Sequence, residues 1–131
     1  MPTPLPCNIL LVDDDTDLRE TLADGLECAG YHVAQADSVG PLFNELQHMN
    51  IAVAIIDLIL AGSSGAALLT YIKQHPRLRH IQVIMISGAA HGKTTARYWG
   101  ADLFLEKPVT IRKLEEAIDS LMTSGAKQPH A

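Results

Sequence analysis

The chain has 131 residues, 47% of them apolar and 19% charged, which fits one globular domain able to bury a core without disulfide or metal staples. Its formal charge of −5, with ten Lys and Arg spread along the chain, excludes a domain that grips a nucleic-acid backbone by itself. Cys7 and Cys28 lie outside any CxxC or Cys/His metal spacing, and no apolar run reaches the length of a signal core or membrane span, so the chain reads as cytoplasmic with no membrane partner.

Residues 1–7, "MPTPLPC", read as a disordered, proline-rich leader to a domain over residues 8–123. "NILLV" is a strand. After it, "DLRETLADGLECAG" sets Leu18, Leu22, Leu26 and Ala29 on one helical face before Gly30 stops the helix. "YHVAQA" is a more polar strand and belongs at a sheet edge. "SVGPLFNELQHM" predicts a helix with Ser38 as its cap and Leu42, Phe43 and Leu46 as its apolar stripe. "IAVAIID" is a continuous apolar run ending in an aspartate, as expected of a strand covered on both faces.

The small-residue loop "AGSSG" then leads into "AALLTYIKQH", a helix closed by Pro76. "IQVIMIS" is another buried strand, "GAAHGKTTARYWGA" a glycine-flanked fourth helix, and "DLFLEKP" a short fifth strand. "TIRKLEEAIDSLM" spaces Ile111, Leu114, Ile118 and Leu121 by three and four behind a Thr110 cap, and residues 124–131 read as a disordered tail or linker. Five strands alternating with five helices imply crossover βαβ units: an α/β fold with a parallel sheet between two helical layers.

In such a sheet, ligands bind beyond the carboxyl ends of the strands. Here those ends carry Asp13 and Asp14, Asp57, Ser87 and Lys107, which the topology brings to one edge. Clustered carboxylates repel one another, and a hard divalent cation such as Mg²⁺ relieves that repulsion through oxygen ligands. Metal, hydroxyl and ammonium together make a pocket for a transferring phosphoryl group, and one carboxylate can be the nucleophile. Asp57, at the end of the central strand and flanked by the "SSG" backbone amides, is best placed for that role.

The stretches "LVDDD", "IIDLILAGSSG", "IMISGAA" and "GADLFLEKPV" stand in register at the spacings of one family. From about Asn8 to Met122 the sequence resembles a response regulator receiver domain of bacterial two-component systems. The resemblance implies a flavodoxin-like doubly wound (βα)5 fold with strand order 2-1-3-4-5. It makes Asp57 the phosphoacceptor, charged by a sensor histidine kinase or a phosphotransfer domain. Asp13 and Asp14 would hold Mg²⁺ with Asp57 and the backbone carbonyl of Ile59, with Asp14 the more direct ligand of the acidic pair. Ser87 would be the switch hydroxyl, Lys107 the phosphoryl-pairing lysine and Phe104 the rotating aromatic, and the Lys107–Pro108 bond would be cis. Phosphorylation would reshape the face made by the fourth helix, fifth strand and fifth helix, for an output domain or a homodimer partner. The domain would be a switch and not a multiple-turnover enzyme.

The sequence departs from the family pattern in places. Leu60-Ala61 replaces Met-Pro after the acceptor, Ile59 puts an apolar side chain at the mouth of the site opposite a small Ala89, and Trp99 fills a slot usually held by a small residue. The Ile59 and Ala89 pair implies altered water access and acyl-phosphate lifetime. Gly88 and Gly92 give the switch connection room to move. A calcium loop over Asp13, Asp15 and Asp17 fails at its sixth position, Leu18, and at its twelfth, Asp24. A dehalogenase-type phosphatase wants Asp-x-Asp-x-Thr, where "DDDTD" has Asp at the fifth place. A degenerate receiver acting only as an interaction module is the remaining alternative. Asp15 and Asp17 are assigned to the start of the first helix.

Overall fold

The computed structural model describes residues 8–60, 63–88 and 100–127. Strands β1 (Asn8–Val12), β2 (His32–Ala36), β3 (Val53–Asp57), β4 (Gln82–Ser87) and β5 (Leu103–Glu106) form one sheet in the order β2-β1-β3-β4-β5, every pair parallel. The polar strand β2 takes one edge, and β3, fully buried along its length, lies at the centre. This is the doubly wound order expected from the sequence, reversing direction between β1 and β3.

Alternation along the strands divides the core in two. Leu10, Val12, Ala54, Ile56, Val83 and Met85 face helices α2 (Leu42–Glu45) and α3 (Gly65–Gln74). Ile9, Leu11, Val53, Ile55, Ile84 and Ile86 face α1 (Thr16–Cys28) and the C-terminal helix (Ile111–Lys127). Each such aliphatic side chain contributes about 1.5–3 kcal/mol on burial, so the sheet is a rigid platform for whatever stands at its ends.

Several helix signals act as read. Thr110 Oγ1 accepts from Lys113 N at 3.1 Å and caps the C-terminal helix. Helix α1 closes in a Schellman motif: Gly30 N donates to Glu27 O at 3.0 Å and Tyr31 N to Leu26 O at 3.1 Å. Gly30 has a φ of 105°, a conformation that a side chain would strain.

The second helix differs from expectation. It is four residues long, continues as a 3₁₀ turn over Leu46–His48, and starts behind Pro41 with no side-chain cap, so Ser38 does not cap it. Pro41 fixes the helical φ of the entry without needing an acceptor. The "AGSSG" region is partly extended, with Ile59–Leu60 pairing antiparallel with Ser63–Ser64, and Ser64 caps α3 by accepting from Ala66 N at 3.1 Å. The C-terminal helix runs on to Lys127, past the end placed near Thr123, because no proline interrupts it before Pro129. The segment expected to form the fourth helix, with Ala89, His91, Gly92 and Trp99, lies outside the described residues, as do Ala61, Gly62, residues 1–7 and 128–131.

Candidate functional site

The acidic run that follows β1 is pulled apart by backbone geometry. Asp13 extends the parallel ladder by one bond, its N–H donating to Ala36 O at 3.1 Å, and the residue is 3% exposed. Its Oδ1 accepts from Asp15 N at 2.9 Å, a tight turn that delivers Asp15 to the N-cap of α1, where its own Oδ1 accepts from Leu18 N at 3.1 Å. Asp17 lies in the first turn, where negative charge favours the helix dipole. Only Asp13 and Asp14 thus remain for the site.

Asp57 ends the central strand and is 5% exposed. Its two oxygens have different partners: Oδ1 accepts from Ile59 N at 3.0 Å, and Oδ2 accepts from Lys107 Nζ at 2.7 Å. The same ammonium lies 3.9 Å from Asp13 Oδ2. Lys107 reaches this place from the end of β5, where its own N–H donates to Ser87 O at 3.2 Å and the Lys107–Pro108 peptide is cis. Ser87 ends β4 and is almost fully buried beside this junction.

Asp13, Asp14 and Asp57 each present one carboxylate oxygen such that all three atoms lie within 4.8 Å of one another. Three carboxylates, two of them buried, face one ammonium, which leaves an excess of negative charge. Burial, together with the Asp57 and Asp14 charges, holds the Asp13 carboxyl above the usual carboxylate range despite the Asp15 amide and Lys107. Burial pulls the Lys107 ammonium down, but the Asp57 hydrogen bond and the charges of Asp57, Asp13 and Asp15 outweigh it, so the net shift is upward. The donor set, all oxygen and net anionic, could hold a hard divalent cation.

Of the remaining expected residues, Ile59 is 64% exposed next to Asp57, the one large exposed hydrophobe among the described residues. Phe104 sits in register with Met85, half-buried against the α2/α3 side of the sheet. Gly65 N donates to Leu58 O at 3.0 Å, while the amide that reaches the Asp57 carboxylate is that of Ile59. The two-residue turn back from the strand is what aims it.

Two neighbours of the site were not legible as such. A Cβ on Gly65 would stand 2.1 Å from Asp57 O, so the helix presses directly on the backbone of Asp57. Arg19 Nη1 donates to Asp13 O at 2.9 Å while its Nε donates to Gln35 Oε1 at 3.0 Å. The signal for Arg19 was its place one helical turn beyond the Asp15 cap, on the side that faces back to β1.

The response regulator receiver domain model matches residues 9–119. The chain belongs to this family. Among curated relatives, the receiver is 32% identical over 117 residues to the transcriptional regulatory protein GltR of Pseudomonas aeruginosa, a match covering 88% of this chain and 48% of that protein. It therefore spans about half the length of the curated relatives it matches. Among solved structures, a response regulator from Chloroflexus aurantiacus superposes with a TM-score of 0.84 at 28% identity, covering 90% of this receiver and 98% of that chain. Another, from Burkholderia pseudomallei, was solved with a phosphorylated aspartic acid, a calcium ion and citrate. It gives a TM-score of 0.76 at 25% identity, over 94% of this receiver and 75% of that chain. The chain is thus a receiver domain of two-component signalling with a CheY-like fold. No described helix is long and apolar enough to cross a membrane.

Proposed function

We propose that this receiver is a phosphorylation-controlled switch in which Asp57 accepts a phosphoryl group from a phosphohistidine on a sensor histidine kinase or phosphotransfer domain. The observation that carries the reading is the state of Asp57: buried, held at one oxygen by an amide and at the other by Lys107, with Asp13 and Asp14 converging on it. The phosphorylated aspartic acid and calcium ion of the Burkholderia pseudomallei relative are consistent with it.

In this reading an Asp57 oxygen attacks phosphorus and the phosphorus–nitrogen bond breaks with its electron pair passing to nitrogen, so that a donor imidazole protonated on its other ring nitrogen leaves as the neutral base. Asp13, Asp14, Asp57 and the Ile59 carbonyl would hold Mg²⁺, which supplies neutralisation of the phosphoryl oxygens when bound. Lys107 supplies a second positive charge at the acceptor, and its hydrogen bond to Asp57 keeps that side chain in one orientation before transfer. Ser87, buried at the end of the adjacent strand, is the hydroxyl that would follow the added charge, with Phe104 turning behind it.

The output is conformational and not catalytic: the fourth helix, β5 and the C-terminal helix would present a changed face to an output domain or a second copy. The domain acts in the cytoplasm on this reading. The test is intact mass after incubation with Mg²⁺ and a small phosphodonor. The wild type should gain one phosphoryl group and Asp57→Asn none. A gain in both would remove Asp57 from the role, and no gain in the wild type under several donors would favour an interaction module without phosphorylation.

A further inference from the structure

We propose that Arg19 is a positioning residue for the metal site, fixing the Asp13–Asp14 peptide so that both carboxylates converge on Asp57. The inference rests on the acid cluster being a Mg²⁺ site.

The parallel ladder ends with the Asp13 N–H, and the chain then turns into α1. At such a turn the carbonyl has no strand partner, and the peptide is free to rotate unless a donor replaces it. Here Asp13 N–H is held by Ala36 O at 3.1 Å, and Asp13 O is held by Arg19 Nη1 at 2.9 Å. The Asp13 side chain is held in turn by Asp15 N. Backbone and side chain of Asp13 are therefore all anchored, and the carbonyl anchor is the one supplied by a side chain.

The guanidinium is itself held at both ends. Its root is set by Arg19 N donating to Asp15 O at 2.8 Å, and its Nε is tied to Gln35 Oε1 on β2, in the register position next to Leu11. The planar fork of Arg uses two different nitrogens for two partners at fixed separation, which an ammonium cannot do. Because Asp13 O belongs to the peptide that carries Asp14, rotating that peptide displaces the Asp14 carboxylate relative to Asp13 and Asp57.

Two effects of Arg19 oppose each other, and their signs separate them. As a positive charge it disfavours a nearby cation, so its removal alone would tighten Mg²⁺ binding. As an orienting group its removal weakens binding, typically 10- to 100-fold for a residue that holds a metal ligand in place. The two hydrogen bonds of the guanidinium favour the second.

The test is calorimetric titration of Mg²⁺ into wild type, Arg19→Met, Arg19→Lys, Gln35→Leu and the double variant, with amide resonances of the metal-free proteins recorded beside it. Arg19→Met should weaken Mg²⁺ binding on the order of 10-fold even though it deletes a positive charge. Arg19→Lys should fall between it and the wild type, and Gln35→Leu should weaken binding less. The double variant should be no worse than Arg19→Met alone, because Gln35 acts through the guanidinium. The Asp14 amide resonance should move in metal-free Arg19→Met.

Tighter or unchanged binding in Arg19→Met, or an additive double variant, would overturn the inference. Should Arg19→Met not fold, Arg19→Lys and Gln35→Leu carry the same comparison, and unchanged affinity in both would overturn it. If the wild type binds no Mg²⁺, the metal reading itself is lost and the inference with it; if the wild type binds and the variants match it, only the inference is lost.

Discussion

Replacing Gly65 by alanine tests whether α3 sets the position of Asp57, the proposed acceptor. The added Cβ would lie 2.1 Å from Asp57 O, 3.0 Å from Asp57 C and 3.0 Å from Ile56 Cγ2. Reaching ordinary contact requires the carbonyl or the helix start to retreat by about 1 Å. The strand that carries Asp57 cannot yield freely, since Leu58 N is bonded to Ile86 O at 2.8 Å and β3 is paired on both sides. Overpacking of this kind costs about 1–3 kcal/mol, and the alanine gains back at most ~1 kcal/mol of helix propensity at a first-turn position. A net loss of about 1–2 kcal/mol should lower the melting temperature by roughly 5 °C.

The larger effect falls on chemistry, because a misplacement of about 1 Å at a reacting group can cost roughly 100-fold in rate. Phosphorylation of Gly65→Ala by a small phosphodonor, followed by intact mass against time, should therefore slow by about two orders of magnitude with far-UV circular dichroism retained. Gly25→Ala is the control. The three atoms nearest its Cβ would be Ile111 Cδ1 and Cγ1, at 2.4 and 2.6 Å, and Cγ2 at 3.5 Å, all of one side chain whose rotamer can change. It should leave the rate within about twofold. If Gly65→Ala matches the wild type in both melting temperature and rate, the claim that the helix start positions Asp57 fails.

Three further outcomes follow from the charges. Lys107→Met leaves the Asp13 and Asp57 carboxylates without the cation bonded to Asp57, and should cost the metal-free protein about 1.5–3 kcal/mol in urea melts, partly recovered by Mg²⁺; an equal loss with and without Mg²⁺ would contradict this. Because the folded-state Asp13 carboxyl titrates above its ordinary 3.8, its stabilising contribution is complete below that value and is lost as pH rises through the higher folded value. Metal-free protein should lose that contribution on going from acid pH to neutrality, and the stabilisation by Mg²⁺ should grow over the same window; a gain independent of pH would refute it. Lys107 titrates above its ordinary 10.5, so its contribution is present below that pH and is lost as pH rises through the folded value, visible as an alkaline fall in melting temperature that Lys107→Met lacks.

The fold was readable because its rules are local and repetitive. In this chain the continuous apolar runs are strands covered on both faces, and the threefold and fourfold spacings are helices packed on them. The second helix escaped this reading, since "PLFNELQH" carries a helical stripe while only four residues adopt α geometry before the chain tightens into a 3₁₀ turn. The amide partner of the Asp57 carboxylate, Ile59 N, was not legible, because the direction of a two-residue turn is not encoded in composition.

By itself, the sequence determined which residues stand at strand ends: Asp13 and Asp14, Asp57, Ser87 and Lys107. An apolar run has to stop where polarity begins, and parallel crossovers send all those ends to one edge. The place of Asp15 and Asp17 at the start of the first helix was also legible, since acidic residues there favour the helix dipole. Only the tertiary structure decided which oxygen each partner takes, with Lys107 bonding Asp57 at 2.7 Å while standing 3.9 Å from Asp13. It alone brought Arg19 to the Asp13 carbonyl and Gly65 against the Asp57 carbonyl. Those contacts join residues through space at fixed separations, and no local pattern along the chain encodes such a distance.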